Sequence, residues 1–197
     1  DPSGATVIPG GMLASRGCPA RCTFCANYVT GRKFRFRSSA NVIAELRAWH
    51  ALNGDTFFPF WDDALSADSA HFARLCEAFY RDLEFPLRWS AITRANLVTP
   101  EILRLMRRSG CVAVNFGVES GDNQILRVIK KGITTEQVVR ALRWAKDEGL
   151  ATAANRKMNK IAHQVFQNFD STAFDFMTSE EGVALCSNSH TTKAPDV

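Results

Sequence analysis

The 197 residues carry 46% hydrophobic and 22% charged side chains, the profile of one soluble globular domain with a sizeable core. A formal net charge of +4 is too small to specify nucleic acid by itself. No window approaches the roughly 18 apolar residues of a membrane span, and the opening "DPSGATVIPGG" lacks the basic-then-apolar layout of a signal peptide, so a cytoplasmic protein is expected. The chain opens on Asp1 rather than Met, which reads as a piece of something longer.

In chain order, "GMLAS" (Gly11 to Ser15) is a short apolar run of buried-strand type that leads straight into a cysteine loop. "GRKFRFR" comes next, with Arg32, Lys33, Arg35 and Arg37 around Phe34 and Phe36. It is either a solvated edge or an anion or nucleic-acid contact with two stacking faces. "SSANVIAELRAWHALNG" predicts a helix with a serine cap, Val42, Ile43, Leu46 and Trp49 at helical spacing, and Gly54 behind. "DTFFPFWDD" reads as a second strand that ends in paired carboxylates, and a helix from about Asp68 places Phe72, Leu75, Cys76 and Phe79 on one face.

"PLRWSAITR" is a third strand, succeeded by the helix "TPEILRLMRRSG" with Thr99 as cap, Pro100 at its first position and Gly110 beyond its end. "CVAVNFGVESG" is a fourth strand. The helix in "GITTEQVVRALRWAKDEG" starts with Thr134 and Gln137 spaced as a capping box and buries Val138, Leu142 and Ala145. Four strands alternating with helices predict an α/β fold on a parallel sheet. In such sheets reacting groups gather at the carboxyl ends of the strands. The cysteine loop, Asp62 with Asp63, Arg94, and Glu119 with Ser120 come after the four strands in turn. The four tryptophans read as core or rim aromatics.

The cysteines are distributed unevenly. Cys18, Cys22 and Cys25 are clustered as C-x3-C-x2-C, while Cys76, Cys111 and Cys186 are scattered, which excludes a secreted disulfide scaffold and points to a reducing compartment. The scattered three read as buried small hydrophobes. A structural zinc needs four closed ligands, and none of His50, His71, His163 or His190 is placed to complete the three thiols. Ferredoxin runs end in Cys-Pro with a fourth cysteine, which this loop lacks. Three thiolates on a four-iron cluster would leave one iron open to a substrate or cofactor.

"RGCPARCTFC" resembles the cluster loop of the radical S-adenosylmethionine enzymes, C-x3-C-x-aromatic-C, with Phe24 at the aromatic position. "FWDDALSAD", "WSAITRANLVTPEILRLMRRSGC" and "FGVESGDNQILRVIKKGIT" resemble the branch whose members commonly carry an upstream cobalamin-binding domain, a domain absent from this chain. The likeness spans about residues 7 to 150. It implies a partial (βα) barrel, of which about four units are legible, with residues 1–150 as its core. It further implies that Cys18, Cys22 and Cys25 hold a [4Fe-4S] cluster whose fourth iron is chelated by S-adenosylmethionine. Phe24 would then pack near the adenine. Asp62, Asp63 and Glu119, with Ser120 beside it, would hold the methionine amino group and the ribose, and Arg94 would meet the carboxylate. The implied reaction is reductive cleavage to a 5′-deoxyadenosyl radical for hydrogen abstraction, or methyl transfer where cobalamin is present. A flavodoxin or ferredoxin would be the electron donor, and the substrate would be a small or lipid-like molecule.

Other readings stay open for the same residues. Asp62 and Asp63 could cap the next turn, and Glu119 could pair with a nearby Lys or Arg. A transfer-RNA methylthiotransferase would share the cysteine loop and fit the basic patch, and a zinc or assembly module would bind no iron. After Leu150 the pattern departs from the family. From "ATAANRKMNK" to the end the chain turns rich in Asn, Ser and Thr with no strand of Val or Ile, so residues 151–197 are expected as a divergent tail that leaves the barrel truncated. The tail is read as a helix over about Asn155 to Phe169 and a disordered end, and it faintly resembles a piece of a tailed-phage head protein.

Overall fold

The computed structural model describes residues 11–26 and 33–154. In chain order they form β1 (Ser15–Arg16), β2 (Arg35–Phe36), α1 (Ser39–Asn53), β3 (Phe57–Phe60), α2 (Ser69–Asp82), β4 (Arg88–Thr93), a 3-10 turn (Ala95–Leu97), α3 (Pro100–Arg108), β5 (Cys111–Phe116), α4 (Asn123–Val128), α5 (Thr135–Asp147) and β6 (Ala151–Ala154). The main sheet is parallel throughout, in the order β3-β4-β5-β6. A parallel bridge from Met12 to Phe60 adds the start of the chain beside β3. Helices α1, α2, α3 and α5 pack side by side, so the α/β fold on a parallel sheet expected from the alternation forms, in the partial-barrel arrangement that the resemblance implies.

Local chemistry fixes the helix ends. Ser38, Asp68 and Thr99 each accept a backbone N–H of the first turn, and Thr134 with Gln137 forms the full capping box. Gly54 takes the left-handed conformation at φ 73 that closes α1. Gly110 is required twice over: its φ is +94, and a Cβ there would lie 2.0 Å from the Leu87 carbonyl oxygen.

The sheet buries one face under the helices. Trp89, Ala91 and Thr93 of β4 are buried while Ile92, between them, is 45% exposed. Trp89 is the centre of the core, its ring edge-on to Phe60 and Phe79 at 5.6 Å and to Phe72 at 6.3 Å between centroids. Its indole N–H donates to the Ser109 carbonyl at 2.9 Å. Trp49 and Trp144 pack at the rim of this core, and Trp61 is exposed.

Two strand expectations change. "GMLAS" is not a continuous strand of the main sheet. Met12 makes two bonds on either side of Phe60, donating its N–H to the Pro59 carbonyl at 2.7 Å and accepting at its carbonyl from the Trp61 N–H, just past β3, at 2.9 Å. The next ladder donors, the N–H groups of Ala14 and Ser15, go instead to the Asp62 carboxylate. The chain therefore peels away into the antiparallel β1–β2 pair. In the other direction the sheet continues past Leu150, because Ala151–Ala154 pairs in parallel with Ala113–Phe116. This strand has no β-branched apolar run, and its partner strand supplies the order that propensity does not. The helix expected from Asn155, the disordered end and the phage-like segment lie outside the described residues, as does Cys186.

Of the basic stretch after the cysteines, Arg37 is engaged in structure, and Arg32 lies outside the described residues. Arg37 donates to Asn41 at 2.6 Å and to the Leu13 carbonyl at 2.7 Å, and pairs with Glu45 at 2.5 Å. Phe36 stacks on His71 at 3.6 Å, so one of the two expected stacking faces is already covered. No helix among the described residues is long and apolar enough to cross a membrane.

Candidate active site

The carboxyl ends of the strands bring the candidate residues to one end of the sheet. The cysteine loop leaves β1 through Gly17, at φ 84. Cys18 is buried, Cys22 is half-buried and Cys25 is exposed, and none of the three is in a disulfide. A turn links them, with the Cys25 N–H donating to the Cys22 carbonyl at 3.4 Å. The loop docks on α4, where the Thr23 N–H and hydroxyl both donate to the Ile129 carbonyl, at 2.9 and 3.4 Å.

The paired carboxylates after β3 part company. Asp63 is exposed, whereas Asp62 is 2% exposed and accepts from the Ala14 N–H at 3.1 Å and from both the N–H and hydroxyl of Ser15. Burial pushes its carboxyl above the usual carboxylate range, against the pull of those donors. Asp62 thus ties the end of β3 to the start of the cysteine loop rather than capping the turn after it.

Arg94, after β4, is 7% exposed. Its guanidinium donates from Nη1 to the Cys22 sulfur at 3.5 Å, from Nε to Asn96 at 3.3 Å, and from Nη2 to the Lys131 carbonyl. Glu119, after β5, adopts φ 70, which is uncommon for a residue with a side chain. Its carboxylate pairs with Lys131 Nζ at 2.9 Å, an ion pair whose lysine side chain is 7% exposed. Gly117 leaves room for that pair, since a Cβ there would lie 3.2 Å from Nζ. Lys131 Nζ also stands 5.6 Å from the centre of the Phe24 ring, which is otherwise exposed. Ser120 is buried, and its hydroxyl accepts from the Asp122 N–H at 3.1 Å, a bond internal to its own turn.

Phe24, Cys22, Arg94, Lys131 and Glu119 therefore form one contiguous group, while Asp62 is held at the root of the loop. Lys131 was not among the expected site residues. Its signal was the lysine pair ahead of Gly132 in "VIKKGIT", but only the short helix α4 returns the chain so that residue 131 meets Glu119.

The donor set fits an iron–sulfur cluster in chemistry: three soft thiols on one loop, with a buried cation against one of them. Their sulfurs are not preassembled, because no three Cys, His, Asp or Glu side chains among the described residues converge as a metal site.

The described residues thus form a parallel α/β partial barrel with a three-thiol loop packed against Arg94 at the carboxyl end of the sheet. The radical SAM superfamily profile matches residues 12–157, and the chain belongs to that family. An uncharacterized methyltransferase of Pyrococcus horikoshii is 32% identical over 148 residues, 74% of this chain and 32% of the relative. The bacteriochlorophyllide d C-12(1)-methyltransferase of Chlorobaculum tepidum is 36% identical over 130 residues, 64% of this chain and 27% of the relative. The radical S-adenosylmethionine methyltransferase TsrM from Kitasatospora setae, solved with cobalamin and a [4Fe-4S] cluster bound, superposes with a TM-score of 0.65 at 25% identity. That match covers 74% of this chain and 28% of TsrM. The chain thus spans about a third or less of these relatives.

Proposed function

We propose that these residues are part of the core of a radical SAM methyltransferase. Cys18, Cys22 and Cys25 would hold a [4Fe-4S] cluster, S-adenosylmethionine would bind at the iron the three thiols leave open, and cobalamin would serve as a further cofactor. The observation that carries the reading is the three-thiol loop rooted on Asp62 and lying against Arg94, at the end of the sheet where the family places its chemistry. When bound, the cluster supplies the electron that cleaves the sulfonium of S-adenosylmethionine, for hydrogen abstraction or, with cobalamin, for methyl transfer to a small or lipid-like substrate.

The chain's own residues bind and orient. The thiolates are soft ligands that spread cluster charge. Phe24 offers an exposed ring to the adenine beside the Lys131 ammonium. Asp63 and Glu119 offer carboxylates to the methionine amino group and the ribose, with Lys131 fixing the Glu119 carboxylate in place. Asp62 spends its oxygens on Ala14 and Ser15 and so acts by holding the loop. A flavodoxin or ferredoxin donor and a cytoplasmic setting complete the proposal.

Anaerobic reconstitution of the full chain with iron and sulfide tests it. The expected result is about four irons per chain with broad visible absorbance of sulfur-to-iron charge transfer. Alanine at any one of Cys18, Cys22 or Cys25 should remove most of that absorbance. Equal iron uptake by the triple alanine variant would contradict the assignment.

A further inference from the structure

We infer that Arg94 is a positioning residue for the cluster itself: its guanidinium holds Cys22 and sets the reduction potential of the cluster that Cys22 ligates. The inference rests on the proposed cluster assignment and goes beyond it, because the family resemblance gives Arg94 only to the carboxylate of S-adenosylmethionine.

A guanidinium 7% exposed is costly to bury without a counter-charge. Among the described residues the hydrogen-bond partners of Arg94 are the Asn96 amide oxygen, the Lys131 carbonyl and the Cys22 sulfur, none of them a carboxylate. No ion pair joins it to a carboxylate of the described residues, and the carboxylate of the group, Glu119, is taken by Lys131 at 2.9 Å. The group thus holds two cations and one carboxylate. The anion that would balance it is the Cys22 sulfur once that sulfur is a thiolate on iron, and Nη1 already points at it from 3.5 Å, an ordinary separation for a donor to sulfur. Asn96 and the Lys131 carbonyl hold the other two nitrogens, so the guanidinium is aimed before any cluster arrives.

A hydrogen bond from a cation to a ligating sulfur favours the more negative, reduced cluster and so raises its potential. Arg94→Gln removes the charge, and Arg94→Lys keeps it while losing the fork that reaches sulfur and carbonyl together. The readout is the midpoint potential of the reconstituted cluster, monitored by electron paramagnetic resonance in the absence of S-adenosylmethionine, alongside iron content. Arg94→Gln is expected to shift the midpoint to a more negative value, with Arg94→Lys between it and the parent chain. If Arg94 serves only the carboxylate of S-adenosylmethionine, the cofactor-free midpoint and the iron content of Arg94→Gln will equal those of the parent, and the inference is overturned. Should Arg94→Gln not fold, Arg94→Lys and Asn96→Ala carry the test: both are expected to shift the midpoint the same way, and an unmoved midpoint in both overturns it. A parent chain that takes up no iron overturns the cluster assignment, and this inference with it. A parent that loads normally with an unmoved variant overturns the inference alone.

Discussion

Asp62→Ala is expected to lower stability by about 2–4 kcal/mol, the order expected when buried donors lose their acceptor with part of the loss offset by relief of a buried charge. The substitution orphans the N–H groups of Ala14 and Ser15 and the Ser15 hydroxyl together. These bonds turn the chain out of the main sheet and into the cysteine loop, so cluster uptake should fall with stability. Asp62→Asn keeps one acceptor oxygen but sets an amide NH2 against a donor, and should lose less. Burial raises the Asp62 carboxyl above 3.8, so the folded chain holds that proton more tightly than the unfolded one. The parent therefore gains stability as pH falls through the raised folded value towards 3.8, whereas the uncharged Asn variant does not. Its deficit in urea midpoint should grow in acid, and a deficit that shrinks there would show that the three donors outweigh burial.

Trp89→Ala strikes the core at its centre. The ring is fully buried against Phe60, Phe72 and Phe79, and its N–H satisfies the Ser109 carbonyl. Removing a ring of this size costs about 3–5 kcal/mol through lost transfer energy and the cavity left behind. The orphaned carbonyl adds about 1–3 kcal/mol. Against a total domain stability of about 5–15 kcal/mol, that is a large share, and the urea midpoint should fall steeply. Trp89→Phe retains much of the packing and loses only the donor, so it should fall between. Urea unfolding monitored by circular dichroism distinguishes them, and a loss under about 1 kcal/mol for the alanine variant would contradict the central role of Trp89.

How much of the fold was legible in the sequence depends on how local each signal is. Helix caps at Ser38, Thr99 and Thr134, the start of α2 near Asp68 and its apolar stripe are set by residues within a few positions of one another, and all are found. The cysteine spacing is equally local. Ala151–Ala154 carries no strand signal of its own and is ordered by β5, which lies well before it in the chain with α4 and α5 between. Asp62 could be read as a site residue by position, but its partners lie 47 and 48 residues away, so its structural use could not be seen. Lys131 became visible only once α4, a helix of 6 residues and too short for periodicity, folded the chain back on Glu119.

The most direct test is whether S-adenosylmethionine coordinates the iron that Cys18, Cys22 and Cys25 leave open. The full chain would be reconstituted and reduced, then mixed with S-adenosylmethionine labelled with 15N in its amino group and 13C in its carboxylate, and measured by electron–nuclear double resonance. Direct coordination is expected to give hyperfine coupling from both labels to the cluster spin, absent in any chain lacking one of the three cysteines. A reduced cluster whose spectrum is unchanged by the labelled cofactor would contradict the three-thiol, open-iron reading of this loop.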